Sequence, residues 1–119
     1  MGKILPRTYD YAGVYMIKNI TNKKVYIGSS RNIEQRLQCH RNALRSGTHR
    51  NKALQEDFNK HHQFRAFVLH VEAAPRGQGF SFRDRQRLYA LEWKFIEQYD
   101  AINTGYNQLG ISEITKKAI

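Results

Sequence analysis

The stretch GVYMIKNITNKKVYIG, residues 13–28, constrains the fold more than any other part of the chain. Two apolar runs flank the polar turn NITNKK, which reads as an antiparallel hairpin with strands over 12–18 and 24–29. Asn22 and its lysine neighbours supply the turn chemistry. Each run also carries a tyrosine close to a glycine: Gly13-Val14-Tyr15, then Tyr26-Ile27-Gly28. Tyrosine suits a half-buried strand position on structural grounds alone. Two of them at facing ends of one hairpin, with glycines that let another backbone approach closely, point further, toward a site.

The chain beyond the hairpin is mostly helical. Ser29, Ser30 and Asn32 are candidate caps for a helix beginning near 31, NIEQRLQCHRNALRS, which stops at Gly47. NKALQEDFNKHH predicts a second helix over 51–62, FRAFVLHVE a third strand over 64–72, and FRDRQRLYALEWKFIEQYD a long helix over 82–100. AAPRGQGFS reads as a loop, residues 1–11 as a loose lead-in, and TGYNQLG as turn-rich. The order β-β-α-α-β-α gives an α+β fold, with helices flanking a three-stranded antiparallel sheet.

The 119 residues fit one domain with a modest core. Lys and Arg number 20 against 10 acidic residues, a formal charge of +10, which calls for a polyanionic partner, nucleic acid first. No apolar run nears the roughly 20 residues of a membrane-spanning helix, and MGKILPRTYDYAG lacks a signal-peptide core. Cys39 is the only cysteine, so no internal disulfide and no CxxC metal framework can form.

Polar residues interrupt two apolar stripes. In the helix after the hairpin the stripe is Ile33, Leu37 and Leu44, with His40 at its centre and Arg36 at its margin, one turn away on the same face. A core histidine beside a snorkelling arginine is the bland interpretation. In the long helix the stripe is Leu88, Leu91, Phe95 and Tyr99, and Glu92 lies inside it, whereas Glu97 faces the other way. A carboxylate on a packed face must be neutralised, paired or bound to a cation. Arg85 or Arg36 could pair with it, or it could hold Mg²⁺, which often takes only one or two carboxylates plus water and phosphate. Phosphodiester hydrolysis needs such a Lewis acid, a cation on the developing charge and a proton acceptor near the attacking water. Glu92, Arg36 and a Tyr or His meet those needs in turn.

GVY followed ten residues later by YIG resembles the signature of the GIY-YIG nuclease family, with Val where Ile is commoner. The resemblance continues through SSRNIEQRLQCHRNAL, SGTHRNKALQEDFNKHH, LEWKFIEQY and GYN, and covers roughly residues 12–109. It is closest to phage-type homing endonucleases. It implies a compact α/β fold around a three-stranded sheet, one Mg²⁺ or Mn²⁺ ion, and DNA cleavage leaving 3′-hydroxyl and 5′-phosphate ends. By that resemblance Tyr15 or Tyr26 orients or deprotonates the water, Tyr15 being nearer. Arg36 steadies the phosphate, His40 transfers a proton or tunes a tyrosine, His49 is a second functional histidine, and Glu92 holds the metal. Asn107 positions the loop or the phosphate. From the residues alone Asn107 is a turn residue and His49 a surface loop or capping residue.

Ser30, Arg31, Arg36, Arg41, Arg50 and Lys52 are the expected DNA contacts. Arg83, Arg85, Arg87 and Lys94 form a solvated basic face that could also track phosphates. The catalytic domain is expected over 1–110, with 111–119 a tail or the start of a DNA-binding module. The protein is expected to be a monomer in the cytoplasm of a phage-infected or bacterial cell, with DNA as partner and no small-molecule cofactor. A restriction or repair nuclease on the same fold is one alternative. A non-catalytic nucleic-acid-binding module, with Glu92 paired to Arg and the tyrosines stacking bases, is another.

Overall fold

The computed structural model describes residues 9–75 and 81–108. The elements in chain order are β1 (Tyr9–Asn19), β2 (Val25–Ser30), α1 (Ile33–Ser46), α2 (Lys52–His61), β3 (Phe64–Pro75) and α3 (Phe82–Gln98). The sheet has the order β2-β1-β3 and is antiparallel throughout. This is the expected three-stranded α+β architecture.

β1 is the central strand and is buried on both faces, which is why its apolar run is nearly continuous. Side chains alternate across a strand, so Val14 and Met16 face one way, with Val25 and Ile27, and meet Ile96 and Leu91 of α3. Tyr15 and Ile17 face the other way and meet Ile33 and Leu37 of α1. Each fully buried Val or Ile contributes roughly 1.5–3 kcal/mol, so these two layers hold the helices against the sheet. A third cluster, Leu44, Leu54 and Tyr106, seats α2 and the segment after α3.

The hairpin turn forms where expected. The Asn22 side chain accepts from the Lys24 backbone N–H at 2.9 Å, and Lys23 takes the left-handed conformation with φ 68°. Asn32 is the cap of α1, Asn51 of α2 and Ser81 of α3, the last in a reciprocal box with Asp84. Both long strands outrun the sequence pattern. Tyr9, Asp10 and Tyr11 pair with Pro75, Ala74 and Ala73, so residues 9–11 of the expected lead-in and the start of the loop are sheet. Their composition hides this, since Ala and Pro favour strands poorly. Proline is nevertheless tolerated at the end of an edge strand such as β3.

α3 stops at Gln98, and Tyr99 caps it with 38 % of its surface exposed, so Tyr99 is not part of the buried stripe. Arg87 does not belong to a free basic face. It forms a two-pronged pair with Glu72 of β3 at 2.7 and 3.0 Å and also meets Asp84. The RGQG turn and the tail 111–119 lie outside the described residues. Among the described residues no helix is long and apolar enough to cross a membrane.

Candidate active site

An open cleft of about 960 Å³ lies over the outer edge of β2. Alternation on β2 sends Tyr26 and Gly28 toward α1, and Ile27 and Ser29 toward α3. The cleft is therefore lined from both sides of one strand: Tyr15, Tyr26, Arg36, His40 and His49 on one side, Ser29 and Glu92 on the other, with Arg50 and Asn107 also present. Residues 15 to 107 in the sequence thus share one surface.

The register explains the doublet signature. Tyr15 pairs with Gly28, and Ile17 with Tyr26, so both phenols project from the same face two residues apart. The Tyr15 ring lies directly over Gly28, where an added Cβ would stand 2.4 Å from the hydroxyl and 2.6 Å from the ring carbon bearing it. Gly28 therefore makes room for a side chain rather than for a backbone. Gly13 is the one that admits a backbone, since a Cβ there would stand 1.9 Å from the His70 carbonyl oxygen on β3.

A hydrogen-bonded chain runs from the buried tyrosine outward. Tyr15 Oη and His40 Nε2 are 2.7 Å apart, His40 Nδ1 and His49 Nε2 are 2.7 Å apart, and the Asn51 backbone N–H donates to His49 Nδ1 at 3.0 Å. The two imidazoles stack at 5.0 Å, and His40 meets Tyr26 edge-on at 5.5 Å. His40 is 5 % exposed. Burial, followed by the charge of Arg36 and the neighbouring His49, lowers its pKa to about 4. Burial and Arg36 also push His49 below the ordinary histidine range. Both rings are thus neutral at physiological pH.

Burial raises the Tyr15 hydroxyl above its ordinary range, and Tyr26 adds to this, while a hydrogen bond from Arg36 works the other way. Burial alone would lower the Arg36 pKa, but its hydrogen bond to Tyr15 and the two tyrosines hold it above the ordinary value. Arg36 stays charged, with its guanidinium at the phenol oxygen.

The depressed His40 pKa makes stability depend on pH. The unfolded chain binds a proton at His40 near pH 6.5 and the folded chain only near 4, so stability is complete above about pH 6.5 and is lost as pH falls from there toward 4. The loss is on the order of 3 kcal/mol at most. Urea unfolding at about pH 7 and about pH 4.5 measures it, and His40→Gln is expected to flatten the difference. An equal pH slope in that variant would mean that another group is responsible.

Across β2, the Ser29 hydroxyl donates to Glu92 at 2.5 Å. Glu92 sits between Leu88 and Ile96 of the packed face of α3, half-buried, with its carboxylate in the cleft. It is the only acidic residue among those lining the cleft, and among the described residues no three His, Cys, Asp or Glu side chains converge on a point. One hard carboxylate in an open polar cleft fits an oxygen-loving divalent ion that keeps water and phosphate ligands. It does not fit a closed, all-protein zinc cage.

Asn107 has both ends of its amide engaged: Oδ1 accepts from Ile27 N–H at 2.7 Å, and Nδ2 donates to Ile27 C=O at 2.8 Å. With Tyr106 N–H donating to Val25 C=O at 2.8 Å, the segment caps the open edge of β2. Asn107→Ala is expected to cost about 1–3 kcal/mol, because two half-buried backbone groups lose their partner. A thermal melt checks this, and an unchanged midpoint would show that water replaces the amide.

Of the other expected DNA contacts, Arg36 and Arg50 line the cleft, whereas Ser30, Arg31, Arg41 and Lys52 do not. Ser30 is tied to Asn32 at the start of α1, and Arg41 lies along α1 against Gln38. Ser29, Asn51 and Gln55 touch the candidate site residues Glu92 and His49, contacts that the sequence does not signal. Gln55 fixes the His49 loop by accepting from its backbone N–H at 3.1 Å. Local spacing holds no signal for these partners.

The profile of the GIY-YIG catalytic domain matches residues 11–107. The chain belongs to the GIY-YIG family. Intron-associated endonuclease 1 of Enterobacteria phage T4 is 46% identical over 50 residues, a match covering 42% of this chain and 20% of that protein. Two solved structures of the catalytic domain of the homing endonuclease I-TevI also align. One, of a mutant form, has a TM-score of 0.66 at 32% identity and covers 82% of this chain and 92% of that one. The other has a TM-score of 0.67 at 31% identity and covers 83% and 99%. The GIY-YIG elements of this chain are the paired runs around Tyr15 and Gly28, which place both phenols at the cleft.

Proposed function

We propose that this GIY-YIG domain is the catalytic part of a homing-type endonuclease that hydrolyses DNA with one Mg²⁺ or Mn²⁺ ion. The observation that carries this is the meeting of Tyr15, Arg36, His40 and Glu92 in a single cleft from both faces of the sheet. Glu92 holds the ion, which when bound supplies a Lewis acid for the phosphoryl oxygens. Arg36 places a fixed positive charge where the phosphorane-like charge develops. Tyr15 orients the attacking water, and the water adds to phosphorus as the 3′ oxygen leaves, giving 3′-hydroxyl and 5′-phosphate ends.

Arg50 beside the cleft and the net charge of +10 draw the DNA backbone toward it, so binding weakens as salt rises. The similarity to the T4 intron-associated endonuclease favours homing over restriction or repair. In that setting the protein acts as a monomer in the cytoplasm of a phage-infected cell.

Supercoiled plasmid incubated with the protein and Mg²⁺ is expected to become relaxed or linear, and EDTA is expected to stop it. Intact plasmid in both lanes, still retarded on a gel, would instead favour a non-catalytic binding module.

A further inference from the structure

The hydrogen-bonded chain behind Tyr15 has a direction, and its far end sets it. A backbone N–H can only donate, so the Asn51 amide forces His49 Nδ1 to be an acceptor. A neutral imidazole carries one proton, so that of His49 sits on Nε2, 2.7 Å from His40 Nδ1. His40 Nδ1 must then accept, and the His40 proton sits on Nε2, 2.7 Å from Tyr15 Oη. The opposite order, in which Tyr15 donates to His40 and His40 donates to His49, leaves His49 with no proton on either nitrogen. Imidazolate does not exist at ordinary pH, so that order is excluded.

Asn51 is well held for this role. It caps α2 through its Oδ1, which accepts from Leu54 N–H at 3.1 Å, and its Nδ2 donates to the Tyr106 carbonyl at 2.6 Å. It is 9 % exposed. The His49 backbone is fixed from the other side by Gln55. These bonds hold the Asn51 amide and the His49 backbone in place relative to each other.

We infer that His49 and the Asn51 backbone amide are positioning groups that lock His40 as a hydrogen-bond donor to Tyr15, so that the histidine chain fixes the Tyr15 hydroxyl and does not carry the Tyr15 proton away. Tyr15 Oη then accepts from His40, with the Arg36 charge beside it. Its own hydrogen is then left to donate to a water or phosphate oxygen in the cleft that Tyr15 lines. Burial keeps that hydrogen on the phenol, so Tyr15 acts by orienting the attacking water and not by taking its proton.

This inference builds on the nuclease reading, but its test does not need cleavage. Long-range ¹H–¹⁵N correlation spectra of the ¹⁵N-labelled full chain report which ring nitrogen of each histidine carries the proton. At about neutral pH, both His40 and His49 are expected as Nε2–H tautomers. A proton on His40 Nδ1 would overturn the inference, whether or not the protein cuts plasmid. His49→Glu places an acceptor opposite His40 Nδ1 and is expected to move the His40 proton to that nitrogen. A folded His49→Glu variant whose His40 stays Nε2–H would also overturn it. Should that variant not fold, the wild-type spectrum decides alone. Cleavage by a folded His49→Glu variant is expected to fall by at least about 10-fold, because a wrong tautomer next to a catalytic group costs up to about 10⁴-fold in a serine-protease triad.

Discussion

Glu92→Gln is expected to lose Mg²⁺-dependent plasmid cleavage by about 10³-fold or more while keeping its fold. Glutamine preserves the length of the side chain and still accepts the Ser29 hydroxyl, so the link between β2 and α3 survives. What goes is the negative charge in the cleft. A neutral amide is a poor ligand for Mg²⁺, and among the described residues no cluster of acids or histidines stands ready to replace it. Leu88 and Ile96 on either side remain packed, so the thermal midpoint stays within a degree or two of wild type, as for a change of about 0.5 kcal/mol or less. Melting and plasmid nicking on the same preparations check both halves. Wild-type cutting by Glu92→Gln in Mg²⁺ would show that the metal is held elsewhere, and a collapsed midpoint would show that Glu92 is structural.

The difference between Glu92 and Glu97 also shows what the sequence makes visible. Both lie on α3, and only helical phase separates them: Glu97 is exposed and accepts from Trp93, while Glu92 points from the packed face into the cleft. Phase is local, so it can be counted along the chain. The same arithmetic puts His40 on the buried face of α1. The opening hairpin is local too, and its register follows from the short turn. Glu92's partner is another matter. Ser29 is 63 residues away and reads equally well as a helix cap. Asn107 and Ile27 are 80 residues apart, and their pairing depends on β2 being an edge strand, which no window of sequence reveals. The family resemblance names Asn107, but only the packing shows that its amide is spent on the β2 backbone. His49 is similar. Its spacing from His40 gives no helical neighbour, and the 2.7 Å contact arises because the Thr48–Asn51 turn folds back onto α1.

Gly28→Ala is the second change with a large expected effect, and it separates activity from folding. The new methyl would stand within 2.4–3.1 Å of three atoms of the Tyr15 side chain, with no backbone among its nearest neighbours. A flexible surface side chain would swing aside. Tyr15 is 1 % exposed, packed against Ile17 and Ile33, and hydrogen-bonded to His40. Its ring must tilt away from β2, and its hydroxyl, at the end of the lever, moves furthest. A displacement of about 1 Å at a reacting group costs on the order of 10²-fold in rate, so cleavage is expected to fall at least that far. Stability falls by only about 1–3 kcal/mol, the usual cost of one extra methyl in a packed layer. Gly13→Ala makes the contrast. Its methyl meets the His70 carbonyl at 1.9 Å, and backbone cannot yield without parting β1 from β3, so that variant is expected to lose its fold along with its activity. Plasmid cleavage and urea unfolding of the two variants, run side by side, decide the matter. If Gly28→Ala cuts as well as wild type, the position of the Tyr15 hydroxyl is not critical to the reaction. If it unfolds like Gly13→Ala, the glycine serves the sheet rather than the tyrosine.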